Sequence, residues 1–258
     1  MKVAAIQLAM SDTMSKKEMV EHALRMMDKC AGSDLILLPE LWNTGFFVFD
    51  KYIEESEPID GFTATAISNK ARELGAWVFS GSFVESRGGK YYNTSILFDR
   101  FGKHIAAYSK IHLFTYNSRE AEILTPGSEL AVVDTEFGKI GLATCYDLRF
   151  PEMFRKMNDM GAEFFLVTSG WPYPRQEAWE TLTRARAIEN VCYLIASNSS
   201  GTQAGFQGLG HSKIVDPLGT VIADSDFRET IVKAEIDPGQ VKAIRAAVPF
   251  LKDRVFRS

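Results

Sequence analysis

The sequence reads as an α/β protein whose sheets are covered by helices, and three of its features lead there. Short continuous apolar runs, at residues 34–39, 164–168 and 192–197, have the composition of strands buried on both faces. Segments with apolar residues at helical spacing alternate with these runs. No linker, low-complexity stretch or internal repeat interrupts the alternation, so although length alone leaves one or two domains open, a single domain over residues 1–258 is the preferred reading.

Taken in order, residues 3–8 form a strand and 15–30 an amphipathic helix with Met19, Ala23, Met26 and Met27 on one face. After a turn at Gly32-Ser33, the run Asp34-Leu35-Ile36-Leu37-Leu38-Pro39 is a strand that Pro39 stops, with Glu40 just beyond. A helix over 63–74 precedes strands over 77–83, 93–99 and 104–109, separated by turns at 87–89 and Phe101-Gly102. Lys110 ends the last of them. A polar loop over 115–128 leads to strands at 130–134 and 139–144, and Cys145 follows the second. Beyond lie a helix over 151–160, a strand over 164–168, a helix over 177–189 and a strand over 192–197. Strand-like segments at 212–215, 221–223 and 231–236, with a turn at Asp216-Pro217-Leu218-Gly219, complete the chain. Binding sites in α/β sheets gather where strands end, which is where Glu40, Lys110 and Cys145 fall.

With 46% apolar residues the chain can bury a large core, and its net charge of −4 comes from interspersed acids and bases. No Lys/Arg run tracks a phosphate backbone, so no nucleic-acid partner is expected. Gln7 breaks the N-terminal run before a signal-peptide core is complete, and no stretch approaches the roughly 18 consecutive apolar residues of a membrane span. A cytoplasmic protein without membrane contact is the expectation. The three cysteines, Cys30, Cys145 and Cys192, form no CxxC pair and have too few histidines nearby for a metal site, so free thiols in a reducing compartment are expected.

A free cysteine is more often a small core residue than a nucleophile, and Cys192, inside Val191-Cys192-Tyr193-Leu194-Ile195, reads as core; Cys30, at a helix tail, reads as structural. Cys145 differs. It leaves the apolar run 140–144 and enters Tyr146-Asp147-Leu148-Arg149-Phe150-Pro151-Glu152, a strand-to-helix turn that should expose a side chain near amides able to lower a thiol pKa and hold an oxyanion. A thiol of pKa about 8.5 still needs a base. Among the four histidines, His112 is the best placed, two residues after Lys110, although nothing local supplies an orienting Asn or Asp. From spacing alone a Cys–His hydrolase stays open.

Three segments in order, Leu37-Leu38-Pro39-Glu40, Tyr108-Ser109-Lys110-Ile111-His112-Leu113-Phe114 and Ala143-Thr144-Cys145-Tyr146-Asp147-Leu148-Arg149-Phe150-Pro151-Glu152, resemble the three catalytic motifs of the nitrilase superfamily of carbon–nitrogen hydrolases. The segments 184–190 and 210–219 extend the resemblance over essentially the whole chain. It implies a four-layer αββα sandwich and an amidase needing no metal and no organic cofactor. Carried onto these positions, the family mechanism makes Cys145 the nucleophile, Glu40 its general base and acid, and Lys110 with the Tyr146 amide the oxyanion donors. The family's second glutamate is matched by Glu120, ahead of Pro126-Gly127, rather than by Glu122.

The Cys145-Tyr146-Asp147 sequence resembles the omega-amidase and Nit-like branch more than true nitrilases, which carry Trp-Glu after the cysteine. That branch implies a small oxo-dicarboxylic monoamide such as 2-oxoglutaramate as substrate, with Arg149 or Arg175 as candidates for binding its carboxylate. Trp42, Phe46, Tyr116 and Trp171 are candidate walls of the pocket. An N-carbamoyl amidohydrolase, a nitrilase or a non-catalytic binding protein on the same fold are the alternatives. The segment 184–190 resembles the family's dimer-contacting helix, and the apolar stretch 248–251 would be left exposed in a lone chain, so a homodimer or larger homo-oligomer is expected.

Overall fold

The computed structural model describes residues 1–256, so the last two residues of the expected 1–258 domain lie outside the described residues. In chain order its elements are β1 (Lys2–Gln7), β2 (Ala9–Met10), α1 (Lys16–Asp28), β3 (Leu35–Leu37), α2 (Phe62–Leu74), β4 (Trp77–Arg87), β5 (Lys90–Phe98), β6 (His104–Ser109), α3 (Glu120–Ile123), β7 (Ala131–Thr135), β8 (Gly138–Thr144), α4 (Pro151–Asp159), β9 (Phe164–Ser169), α5 (Gln176–Asn190), β10 (Tyr193–Asn198), β11 (Ser200–Gln203), β12 (Phe206–Gln207), β13 (Lys213–Val215), β14 (Val221–Asp224), β15 (Thr230–Glu235) and α6 (Gly239–Ala247). Short 3-10 turns cover Phe49–Lys51 and Cys145–Arg149.

Two six-stranded sheets share one plan. The first runs β15-β1-β3-β4-β5-β6 and the second β14-β13-β10-β9-β8-β7. In each, three parallel strands (β1, β3, β4 and β8, β9, β10) are flanked by antiparallel ones. Alternation within the apolar runs builds the layers, because successive side chains of a strand point to opposite faces. Ala4, Ile6, Ile36, Leu38 and Val78 pack with Val20, Ala23 and Met27 of α1 and Ala64, Ile67 and Ala71 of α2. Their neighbours Val3, Ala5, Leu35, Leu37 and Phe79 join the core shared with the second sheet and with α4 and α5. β1 faces β10 and β4 faces β9. Hydroxyls stitch the sheets together, Ser197 Oγ donating to Ile6 O at 2.6 Å and Thr168 Oγ1 to Leu38 O at 2.9 Å. The result is the αββα sandwich that the motifs implied.

Several elements differ from the sequence reading. β4 continues to Arg87, paired with β5. The loop over 115–128 contains the single helical turn α3. A small sheet of β12, β11 and β2 and the helix α6 are additional. α6 buries only Val241 among its nine residues, so its apolar spacing carries little signal. It is held instead by Arg245, whose guanidinium donates to Ala162 O, Asn190 O and Val191 O. No helix among the described residues is long and apolar enough to cross a membrane.

Candidate active site

Glu40, Lys110 and Cys145 lie just past β3, β6 and β8, and each is fixed by local backbone. Beyond β3, Leu38 N donates to Phe79 O at 3.1 Å and Pro39 O accepts Ser82 N at 3.1 Å. Leu41 then turns the chain in the left-handed region at φ 44°, its amide held by Ser82 Oγ at 3.0 Å. Gly81, at φ +68°, lies so near that a Cβ would sit 2.2 Å from Pro39 O. The backbone at Lys110 is held from both sides, its amide donating to Asn93 O at 2.8 Å and its carbonyl accepting from Gly127 N at 2.9 Å. That close approach explains the Pro126-Gly127 pair, since a Cβ on Gly127 would meet Ser109 O at 2.1 Å.

Cys145 opens the 3-10 turn with φ 47°, a conformation that costs a non-glycine residue on the order of 1–3 kcal/mol and persists only where its surroundings impose it. Asp147 imposes it. Its Oδ2 accepts Thr144 N at 2.9 Å and the Tyr108 hydroxyl at 2.6 Å, while Oδ1 accepts His112 N at 3.1 Å and lies 2.8 Å from His112 Nδ1. One fully buried carboxylate thus ties the cysteine turn to the segment carrying Lys110.

The three groups meet with a fourth. Lys110 Nζ lies 2.8 Å from Glu40 Oε1, and 3.0 and 2.9 Å from the two oxygens of Glu120. Glu40 Oε2 accepts Gly170 N at 2.8 Å, and Glu120 Oε2 accepts Phe114 N at 2.7 Å. The amide of Asn93 donates to Glu40 Oε1 at 2.9 Å and to Glu120 Oε1 at 3.0 Å. The side chains of Glu40, Lys110 and Glu120 are all closed to solvent. Glu40, Lys110 and Ser169 are the groups that act electrostatically on the Cys145 thiol.

Burial alone would push the Lys110 ammonium down, but the Glu120 and Glu40 carboxylates outweigh it and hold it above the ordinary lysine range. Burial pushes the Glu120 carboxyl up, opposed by Lys110. Burial, and then the negative charge of Glu40, push the Cys145 thiol well above its usual value, against the pull of Lys110 and Ser169. This corrects the expectation of an exposed, acidified thiol. A thiol held up in this way needs a proton acceptor before it can act as a nucleophile.

Cys145 opens onto a narrow cleft. Phe46, Phe114, Trp171 and Pro172 give it apolar walls, and Tyr146, Arg149, Gly170 and Arg175 complete the lining. Two sequence candidates fall outside it. Trp42 is buried in the core under α1 and α2 with Nε1 donating to Ser80 O at 2.9 Å, because the left-handed turn at Leu41 carries the indole away from the cleft. Tyr116 is 65% exposed and does not line the cleft, although the guanidinium carbon of Arg175 lies 5.8 Å from its ring. Arg149 lies over the Trp171 ring at 5.0 Å and Arg175 over Phe114 at 5.4 Å. Neither guanidinium has a carboxylate partner among the described residues.

His112 does have an orienting acid, Asp147, which lies 35 residues away in the chain. Its ring is stacked on Phe150 at 3.7 Å and is absent from the cleft lining. Asn93, Asp147, Ser169 and Phe114 also belong to the site, and none of them was among the candidate site residues expected from the sequence. The signal for Asn93 is present in the run Asn93-Thr94-Ser95, three polar residues fully buried in a strand with neighbours on both sides.

The family model for carbon–nitrogen hydrolases matches residues 2–246, nearly the whole chain. The chain belongs to the carbon–nitrogen hydrolase family. Among the relatives of this hydrolase is the 2-oxoglutaramate amidase of Paenarthrobacter nicotinovorans, 34% identical over 98% of this chain and 88% of the relative. The 2-oxoglutaramate amidase of Bacillus subtilis is 36% identical over 86% of this chain and 85% of its own. The crystal structure of Saccharomyces cerevisiae Nit3, a member of branch 10 of the nitrilase superfamily, superimposes with a TM-score of 0.90 at 32% identity, covering 99% of this chain and 97% of Nit3.

Proposed function

We propose that this hydrolase is an omega-amidase, releasing ammonia from the terminal amide of a small monoamide that carries a carboxylate at its other end. The observation that carries the reading is the meeting of Cys145, Glu40 and Lys110 beside a cleft whose two guanidiniums have no carboxylate partner among the described residues. The names of the relatives, 2-oxoglutaramate amidases among them, support the same substrate class.

The raised thiol and the buried Glu40 side chain define the chemistry. Glu40 takes the Cys145 proton as Sγ attacks the amide carbon, and the oxyanion that forms is met by the Lys110 ammonium and the Tyr146 amide. The first amides of a helical turn have no carbonyl partner within it, which leaves Tyr146 N–H available. Glu40 then returns the proton to the departing nitrogen, ammonia leaves, and a thioester remains on Cys145. Water deprotonated by Glu40 attacks the thioester, releasing the carboxylic acid and restoring the thiol. Glu120 keeps Lys110 charged and in place throughout. Arg149 and Arg175 hold the distal carboxylate, between walls supplied by Phe46 and Trp171. The protein acts in the cytoplasm without nucleic acid or membrane, and pairs with a second copy of itself.

The test is ammonia release from a panel holding 2-oxoglutaramate, succinamate, a neutral amide of similar length, a nitrile and an N-carbamoyl amino acid. The anionic omega-amides should be turned over best. Arg149→Leu and Arg175→Leu should raise KM for them by about 10–100-fold, the worth of a hydrogen bond to a charged group, and leave the neutral amide unaffected. Equal use of neutral and anionic amides, or best use of the nitrile or the carbamoyl compound, would refute this reading.

A further inference from the structure

Asn93 lies in the middle of β5, between β4 and β6, with its side chain closed to solvent. Its Nδ2 donates to Glu40 Oε1 and Glu120 Oε1, two oxygens that Lys110 Nζ also contacts. An ammonium and a neutral amide therefore share the same pair of acceptors. The amide oxygen, Oδ1, is buried without a hydrogen-bond partner among the described residues. Turning the amide over would set that oxygen against two carboxylate oxygens, so the carboxylates dictate the orientation and leave Oδ1 unsatisfied. A residue needed only to fill the strand would be apolar, as Ile96 and Leu97 are three and four positions on.

We propose that Asn93 is a positioning residue that keeps the Glu40–Glu120 pair ionised and in register, so that Glu40 is ready to take the Cys145 proton. The inference rests on the role proposed above for Glu40. A hydrogen bond donated to a carboxylate favours its ionised form. Lys110 supplies the positive charge between the two acids, and Asn93 supplies donors without a further charge. The other groups facing the pair are the Cys145 thiol from the turn after β8, the buried Tyr52 after the turn at Phe49–Lys51, and the amides of Gly170 and Phe114. Those two amides serve the opposite oxygens, Oε2 of each acid, and cannot stand in for Nδ2.

The pH profile of kcat/KM reports the base in the free enzyme, here as an apparent value of the coupled pair. In Asn93→Leu, of matched size but without donors, the acid limb should move upward by about one to two pH units, the shift equivalent to one charge-assisted hydrogen bond. The loss of kcat/KM should therefore be greatest on the acid side. A uniform loss at every pH with the limb unmoved, or no loss at all, overturns the proposal. If Asn93→Leu does not fold, the wild-type protein carries the test. Both side-chain amide protons of Asn93 should resonate downfield and move together as the acid limb is crossed, and two protons at ordinary, pH-independent positions overturn it. Cys145→Ala, run alongside, separates the two claims. If that variant stays active, the reading of the whole site falls and this role with it; if it is inactive while the limb in Asn93→Leu is unmoved, only the role of Asn93 falls.

Discussion

Replacing Lys110 with methionine keeps most of the side-chain volume and removes the ammonium from between two buried carboxylates. The ammonium sits 2.8, 2.9 and 3.0 Å from three carboxylate oxygens, all within a region closed to solvent. Breaking a buried ion pair by removing one partner costs roughly 3–5 kcal/mol, because the other charge stays behind unpaired. At about 2–4 °C per kcal/mol for a chain of this size, Tm should fall by roughly 6–20 °C at pH 8. The sign of the pH dependence follows from Glu120, whose carboxyl burial pushes up even with the lysine present. A carboxyl raised in the folded state contributes stability that is complete below its unfolded pKa of about 4.3 and is lost as pH rises through the folded value. The deficit of Lys110→Met should therefore shrink from pH 8 toward pH 5, as the pair takes up a proton in place of the ammonium. Adding Glu120→Gln should recover much of the Tm and none of the turnover, since loss of an oxyanion donor costs about 10²–10³-fold in kcat. Calorimetry against pH and continuous ammonia release are the assays. A Tm within about 2 °C of wild type at pH 8, less than 1 kcal/mol on the same scale, together with near-normal turnover, would refute the view that these residues form one charge unit.

Glu40→Gln keeps the shape of the side chain but cannot carry a proton, and kcat should fall by at least the 10²–10⁴-fold typical of a general acid–base residue; steady-state turnover on the best amide checks it. His112→Ala should keep turnover within about tenfold of wild type, below the contribution of a general base, because the ring is bonded to Asp147 and stacked on Phe150 away from the cleft. Loss of activity in His112→Ala with retention in Lys110→Met would return the Cys–His reading. Light scattering at micromolar concentration should give at least twice the 28.8 kDa of one chain, since Ile188 on α5, Leu218 and Phe250 are exposed apolar side chains that pairing would cover; a mass of one chain would contradict pairing.

The parts of the site legible in the sequence were those at strand ends. Pro39, Lys110 and the break from Ala143-Thr144 into Tyr146-Asp147 mark where buried strands stop, and the sandwich brings those ends together. Glu120 was reached through the motif resemblance, because a loop glutamate shows nothing of its burial until Lys110 and the Phe114 amide close on it. Aromatic composition named four pocket walls, but which way a side chain points depends on backbone turns such as the left-handed one at Leu41, so Phe46 and Trp171 line the cleft while Trp42 and Tyr116 do not. The Asp147–His112 pair joins residues 35 apart, and the elevation of the Cys145 thiol depends on how completely the fold closes over it; neither is a local property. The β11–β12 hairpin, with strands of four and two residues, is too short to show a period.

Acylation of Cys145 is tested most directly by mass spectrometry of acid-quenched enzyme. Wild-type protein mixed with an anionic omega-amide for milliseconds to seconds, quenched and digested, should carry an adduct of substrate mass less ammonia on the peptide containing Cys145. Peptides containing Cys30 and Cys192, both closed to solvent, should be unmodified. Full turnover in Cys145→Ala, or an adduct on any other residue, would contradict a thioester at Cys145.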